Sequence, residues 1–287
     1  RRRQSCTGVI TLEGVVALRV APQMMGLGLL DAIPAEDIRA NADPNDTDGD
    51  GISGRPNITW SVEYQRPMLG RFGLKAAAPT LRQQSAAAFA ADIGISTPLF
   101  EAGHGDCTTA QVECINAPHG DGDVRVFEVD EIGLDLVTFY SANLAVPARR
   151  DVDDPEVLRG KEVFHTTGCA SCHTPSFVTH RLEDQPAQSF QLIWPYTDLL
   201  LHDMGPDLAD NRPEGRATGQ EWRTPPLWGI GLTGQVSGHT QFLHDGRARS
   251  ILEAILWHGG DAEGQKTKVI DMPPADRTAL LRFLESL

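Results

Sequence analysis

The 287-residue chain has no apolar run long enough to cross a bilayer. It is also short of positive charge: 25 Lys and Arg stand against 39 Asp and Glu, for a formal net charge of −14. Phosphate backbones would repel such a surface, so nucleic acid is excluded as a partner. The same charge suits docking to a basic redox protein, such as a basic cytochrome. The chain opens on Arg1-Arg2-Arg3 with no initiator Met, and no charged, apolar and small segments follow in secretory order. The opening therefore reads as a processed start or an internal one. Cysteine is scarce, with five in all: Cys6, Cys107, Cys114, Cys169 and Cys172. Cys107 and Cys114 bracket a short polar loop and read as a local disulfide of an oxidising compartment, which puts the protein in the periplasm or another extracytoplasmic space. The alternative is two free loop thiols. Cys6 has no obvious partner.

What the sequence does hold is Gly168-Cys169-Ala170-Ser171-Cys172-His173. One turn of backbone between two thiols lets both reach the vinyl groups of one porphyrin, and the adjacent imidazole is a standard axial donor to haem iron. The segment predicts a covalently bound haem c on Cys169 and Cys172, with His173 as proximal ligand. Upstream, Val163 and Phe164 suit the apolar face of a helix leading into the site, and Gly168 permits the turn before Cys169. A zinc site would want a second Cys/His pair at ligand spacing, which is missing. A thioredoxin-like redox pair would want a strand before the motif, where this chain has a helical pattern.

A weak internal repeat divides the chain. Gly26-Leu27-Gly28-Leu29 is matched by Gly229-Ile230-Gly231-Leu232, and Arg71-Phe72-Gly73-Leu74-Lys75 by His244-Asp245-Gly246-Arg247-Ala248. Thr80 and Ser250 then each read as an N-cap opening a helix. Each half closes on an amphipathic helix. The first, about 130–144, offers Leu134, Leu136, Val137 and Tyr140 to the core; the second, about 274–287, offers Leu280, Phe283, Leu284 and Leu287. Pro147 and Asp151-Val152-Asp153-Asp154-Pro155 mark the seam, so the expected units are 1–150 and 151–287.

Asp46-Thr47-Asp48-Gly49-Asp50-Gly51-Ile52 places three carboxylates on alternate positions, with a glycine for the sharp turn and the Ile52 carbonyl behind it. It reads as a calcium loop. Asn57 stands where an EF-hand has its final bidentate Glu. The alternative is a solvated acidic turn.

Taken together, these pieces resemble the di-haem oxidoreductases related to bacterial di-haem cytochrome c peroxidases, some of which carry the label of thiol oxidoreductases. The resemblance rests on the 26–34 and 46–51 segments, Gly70 to Ala76, the Cys169 to His173 motif, His244 to Ala248, and His258-Gly259-Gly260. It implies a mainly α protein of two cytochrome c-like helical domains, each with a haem. Only one attachment motif is present, so the first domain is expected to be incomplete here, its motif lying before Arg1, unless this member has a single haem. The resemblance also implies a distal ligand from the helix after His244-Asp245-Gly246. The matching residue is His258, which would give bis-His iron; Met204 is the alternative. Ala88 falls opposite His258 in the first half. His104, His119, His165, His180 and His239 are read as ordinary surface or core residues.

Two functions follow. One is a haem oxidoreductase of the peroxidase superfamily, its second-half haem exchanging electrons with a first haem. The other is an electron-transfer cytochrome without substrate. Thiol exchange is disfavoured, because cysteines held as thioethers cannot exchange disulfides.

Overall fold

A computed structural model describes residues 17–121 and 126–287. Cys6 and the arginines at the start lie outside the described residues. The described chain is mainly helical. Its first part carries α1 (Leu27–Asp31), α2 (Ala35–Ala40), the hairpin β1 (Ile58–Ser61) and β2 (Arg66–Leu69), then α3 (Leu81–Ile93), α4 (Val112–Ile115) and α5 (Glu131–Ala142). Its second part opens with α6 (Pro155–Thr167) and runs through two short strand pairings. These use β3 (Phe177–Val178) with β4 (Leu192–Ile193), and β5 (Leu201–Asp203) with β6 (Glu221–Arg223); Arg55 also bridges Leu201. It ends with α7 (Thr233–Ser237), α8 (Ile251–Leu256), α9 (Glu263–Asp271) and α10 (Pro274–Ser286). No described helix is long and apolar enough to span a membrane.

The helix starts follow capping chemistry. The Thr80 side chain accepts from the Gln83 N–H, Asp130 from Gly133, and Ser250 from Glu253. Asp154 caps α6 by accepting from Glu156, with Pro155 pre-set in the first helical position. Gly168 ends α6 at φ 94°, a left-handed conformation that glycine adopts without strain. Cys107 and Cys114 are joined as a disulfide across their loop.

The repeat is visible as local geometry. Phe72 pairs with Ala78 in an isolated bridge, and Phe242 with Ala248, each just before its capped helix. The two loops therefore match Phe72 to Phe242, Ala78 to Ala248 and Thr80 to Ser250. This corrects the sequence pairing of Arg71–Lys75 with His244–Ala248, which sat three residues out of step because composition resembled more closely there than backbone position. Gly26 and Gly229 both stand in the left-handed region at the mouth of a helical turn. A Cβ on Gly28 would meet the Ala142 carbonyl, at the end of α5, at 2.4 Å, and one on Gly231 would meet the Glu285 carbonyl, near the end of α10, at 2.0 Å. In each half a glycine lets the end of the closing helix dock.

The two closing helices differ in cover. α10 buries Leu280, Phe283 and Leu284 against α6, with Leu287 just beyond its end. Of the four residues expected to face the core on α5, only Leu134 does. Leu136 is 63% exposed, Tyr140 65% and Val137 37%, joined by Ile132 and Phe139. The amphipathic pattern is there, but no described helix lies on that face as α6 lies on α10. The first core also draws on the second part: Phe177, Ile193, Leu199, Leu200 and Trp228 pack with Leu30, Ile33, Ile38, Leu69, Phe72 and Leu81.

Candidate functional site

α6 leads into the Cys-Ala-Ser-Cys-His segment. Val157, Val163 and Phe164 are buried on one face against α10, and the Gly168 turn passes into a 3-10 turn, Cys169–Ser171. Cys169 and Cys172 are free thiols, not bonded to each other. Burial pushes the Cys169 thiol up to about 12 and raises Cys172 as well. Both therefore stay protonated and unreactive toward oxidants near neutral pH.

His173 is held by one hydrogen bond. Its Nδ1 lies 2.9 Å from the Tyr196 carbonyl oxygen. A carbonyl only accepts, so Nδ1 carries the proton and Nε2 keeps its lone pair. His258, just beyond α8, has the same arrangement, with Nδ1 2.7 Å from the Ala254 carbonyl. Burial lowers the proton affinity of both rings, and His258 further lowers that of His173, which falls to about 4. Two neutral imidazoles, each fixed through Nδ1 to a backbone carbonyl, are the state in which histidine ligates a metal.

The surroundings fit a large flat apolar group. Ile251, Leu252 and Ile255 on α8 are only partly buried, yet they pack into the cluster that contains Cys169, Ala170, Phe164 and Tyr196. Leu256 is 43% exposed beside them. A cavity next to them is lined by Met204, Pro206, Leu256, Trp257, His258 and Lys266. Arg247 lies over the Trp257 ring at 4.7 Å, so that ring is stacked by a cation on this wall. The residues present therefore fit a haem: two thiols for the vinyl groups, two imidazole lone pairs for the iron, and an incompletely covered aliphatic wall for the porphyrin. Met204 lines the same cavity as His258. Gly259 and Gly260 bring these segments together, since a Cβ on Gly260 would meet the Asp203 carbonyl at 2.1 Å. The glycine pair serves this close approach.

A family model described as "Di-haem oxidoreductase, putative peroxidase" matches residues 9–287. The chain belongs to that family. No curated protein matches it. Among solved structures it is similar to Kuenenia stuttgartiensis hydrazine synthase pressurized with 20 bar xenon, at 13% identity and a TM-score of 0.39, over 98% of each chain. Membership in the di-haem family makes this a haem oxidoreductase.

The other predicted residues lie elsewhere. Asp46, Asp48 and Asp50 each offer a carboxylate oxygen within 4.8 Å of the others. Their loop is closed by its own side chains: Asp46 accepts from Gly51 N–H, Asp48 from Asp50, and Asp50 from Ile52. Asn57 is fully buried, donating to the Lys75 and Glu214 carbonyls and accepting from Arg216 N–H, so it ties the two parts together and is not available to the loop. His244 is stacked on Trp222 at 3.6 Å with 13° between planes, and burial lowers its proton affinity to about 4.

Sequence reading missed His202. It is 3% exposed, with Nε2 2.8 Å from Asp198 Oδ2, Nδ1 3.5 Å from Asp261 Oδ2, and Nδ1 3.5 Å from Cys172 Sγ. Burial opposes its charge, but the hydrogen bonds to Asp198 and Asp261 outweigh burial and hold the ring protonated well above the usual histidine range. Asp198 lies four residues away, a usable signal only once the turn between them is known; Asp261 is far off in sequence and gives none.

Proposed function

We propose that this protein is an extracytoplasmic c-type haem oxidoreductase whose second-half haem exchanges electrons with another haem. Cys169 and Cys172 would hold the group through thioethers, and His173 and His258 would ligate its iron. The observation that carries the reading is the pair of buried neutral imidazoles, each proton-fixed at Nδ1, beside two free thiols. His258 is preferred over Met204 because its ring is oriented by a hydrogen bond and affects the proton affinity of His173. When bound, the haem supplies one-electron chemistry. This chain's residues position it, shield it and set its electrostatics.

The exposed apolar face of α5 supports a second cytochrome c-like unit. In the second part the equivalent helix α10 is covered by α6, the helix that carries the attachment motif. A helix of the same kind would cover Ile132, Leu136, Phe139 and Tyr140. The periplasmic location rests on the Cys107–Cys114 disulfide, and a basic redox partner on the −14 charge. The Asp46, Asp48 and Asp50 carboxylates, with the Ile52 carbonyl, are proposed to hold calcium. The second reading, an electron-transfer cytochrome with no substrate, is favoured by a haem with both axial positions occupied. A pyridine haemochrome count on the native protein separates them: two haems per polypeptide support the di-haem reading, one supports the cytochrome, and none overturns both.

A further inference from the structure

The attachment site is bordered by a buried ionic cluster that neither binds iron nor bonds to the porphyrin in the reading above. His202 stands at its centre. Carboxylates face both ring nitrogens, Asp198 at Nε2 and Asp261 at Nδ1, so both nitrogens donate. The Nδ1 donor is also directed at the Cys172 sulfur. The ring cannot turn away. Asp198 is anchored to the motif itself, its N–H donating to the Cys172 carbonyl at 3.0 Å. Asp261 is anchored to the first part, accepting from both the N–H and the hydroxyl of Ser53. Gly54 closes the last side, since a Cβ there would sit 2.7 Å from His202 Cε1.

We propose that His202 is a positioning and tuning residue for the haem, holding the Cys172 sulfur through Nδ1 and placing a fixed cation beside the porphyrin, with Asp198 and Asp261 as its orienting carboxylates. This rests on the haem reading above. A hydrogen bond from a cation into the thioether sulfur withdraws electron density from the porphyrin edge and favours ferrous iron. The carboxylates act in the opposite sense. Ser53, three residues from the end of the Asp46–Asp50 loop, extends the cluster into the first part, so the potential of the second-half haem is set by residues from both parts.

The test is a mediated potentiometric titration of the holoprotein, in which one electron converts ferric to ferrous iron and no bond to the protein changes. His202→Gln removes the cation and should shift the equilibrium toward ferric iron by about tenfold at fixed potential, a fall of about 59 mV. Asp261→Asn removes a carboxylate while keeping an oxygen for Ser53 and leaving His202 paired with Asp198 at 2.8 Å, so the ring keeps its charge, and should shift it the other way. A general loosening of the fold would not give opposite signs. Covalent haem is counted in every sample, and the haemochrome band reports whether both thioethers remain. Equal midpoints in wild type and both variants, or shifts of the same sign, overturn the proposal. If His202→Gln does not accumulate as folded protein, Asp261→Asn decides alone, and an unmoved or lower potential overturns it. A wild type without covalent haem overturns the haem reading and this proposal together. A wild type with haem but unmoved variants overturns only the role of His202.

Discussion

Gly160 is where the packing of two helices leaves no room for a side chain. It lies in the middle of α6, at the crossing with α10, and a Cβ there would sit 1.9 Å from the Ala279 carbonyl oxygen and 2.7 Å from the Phe283 Cβ. The first contact is backbone, so no rotamer change relieves it. Gly160→Ala gains about 1 kcal/mol in helix propensity. Against this, prying two packed helices apart costs about 3 kcal/mol, the upper end of ordinary overpacking. The net expectation is a loss of about 2 kcal/mol, a fall in Tm of roughly 4–8 °C. Because α6 runs straight into Gly168 and Cys169, the same displacement should weaken covalent haem loading. Gly264→Ala is the matched control: it lies in α9 with nothing within 4 Å of its Cβ, and it should gain about 0.5–1 kcal/mol from the same propensity term. Thermal unfolding of both variants by circular dichroism checks the argument. If Gly160→Ala is as stable as wild type, the helix crossing is not held by close approach at this glycine.

Other expectations concern the ligands, the ion loop and one buried carboxylate. Cys169→Ala or Cys172→Ala should weaken or abolish covalent haem, read by haem staining of denatured protein; haem that is fully extractable from the wild type into acidified solvent would refute attachment. His258→Ala should leave the haem attached but convert the iron to a high-spin form that responds to added imidazole, and a persistent low-spin spectrum with a sulfur-to-iron band would assign the position to Met204. Asp48→Ala should abolish any rise in Tm on adding calcium, since a ligand that binds only the folded form stabilises it; a wild-type Tm indifferent to calcium and chelator would refute the site. Asp31 is raised to about 6, chiefly by burial, with Arg71 opposing. Its folded-state proton affinity exceeds that of the unfolded chain, so the penalty for charging it is absent below about pH 4, grows through pH 6 and is complete above. Asp31→Asn should therefore stabilise the protein by about 1–3 kcal/mol at pH 8 and little at pH 4, measured by denaturant unfolding.

The local signals in the sequence were strong. Cys169, Cys172 and His173 stand out because the proposed haem attachment would fix their spacing, and Thr80, Ser250 and Gly168 because capping and left-handed turns depend on the residue alone. The repeat was legible as an order of pieces, though its register was not. Gly246 and Gly73 look alike in sequence, while the backbone instead pairs the Phe72–Ala78 bridge with Phe242–Ala248. Periodicity marked α5 as amphipathic and so placed Leu136, Val137 and Tyr140 toward the core. Tertiary structure decided that this face is exposed, because a hydrophobic stripe states what should be covered and says nothing of which segment covers it. The roles of His202, Asp198, Asp261 and Ser53 were also decided only in three dimensions. Each is an ordinary polar residue in its own neighbourhood, and their cluster exists because β5, the turn after His258 and the end of the Asp46–Asp50 loop meet beside Cys172. Sequence alone determined where the Cys-Ala-Ser-Cys-His segment and the helix caps stand, since motif spacing and capping geometry are local. Tertiary structure determined which charges surround that chemistry, since burial and electrostatics depend on every segment that arrives there.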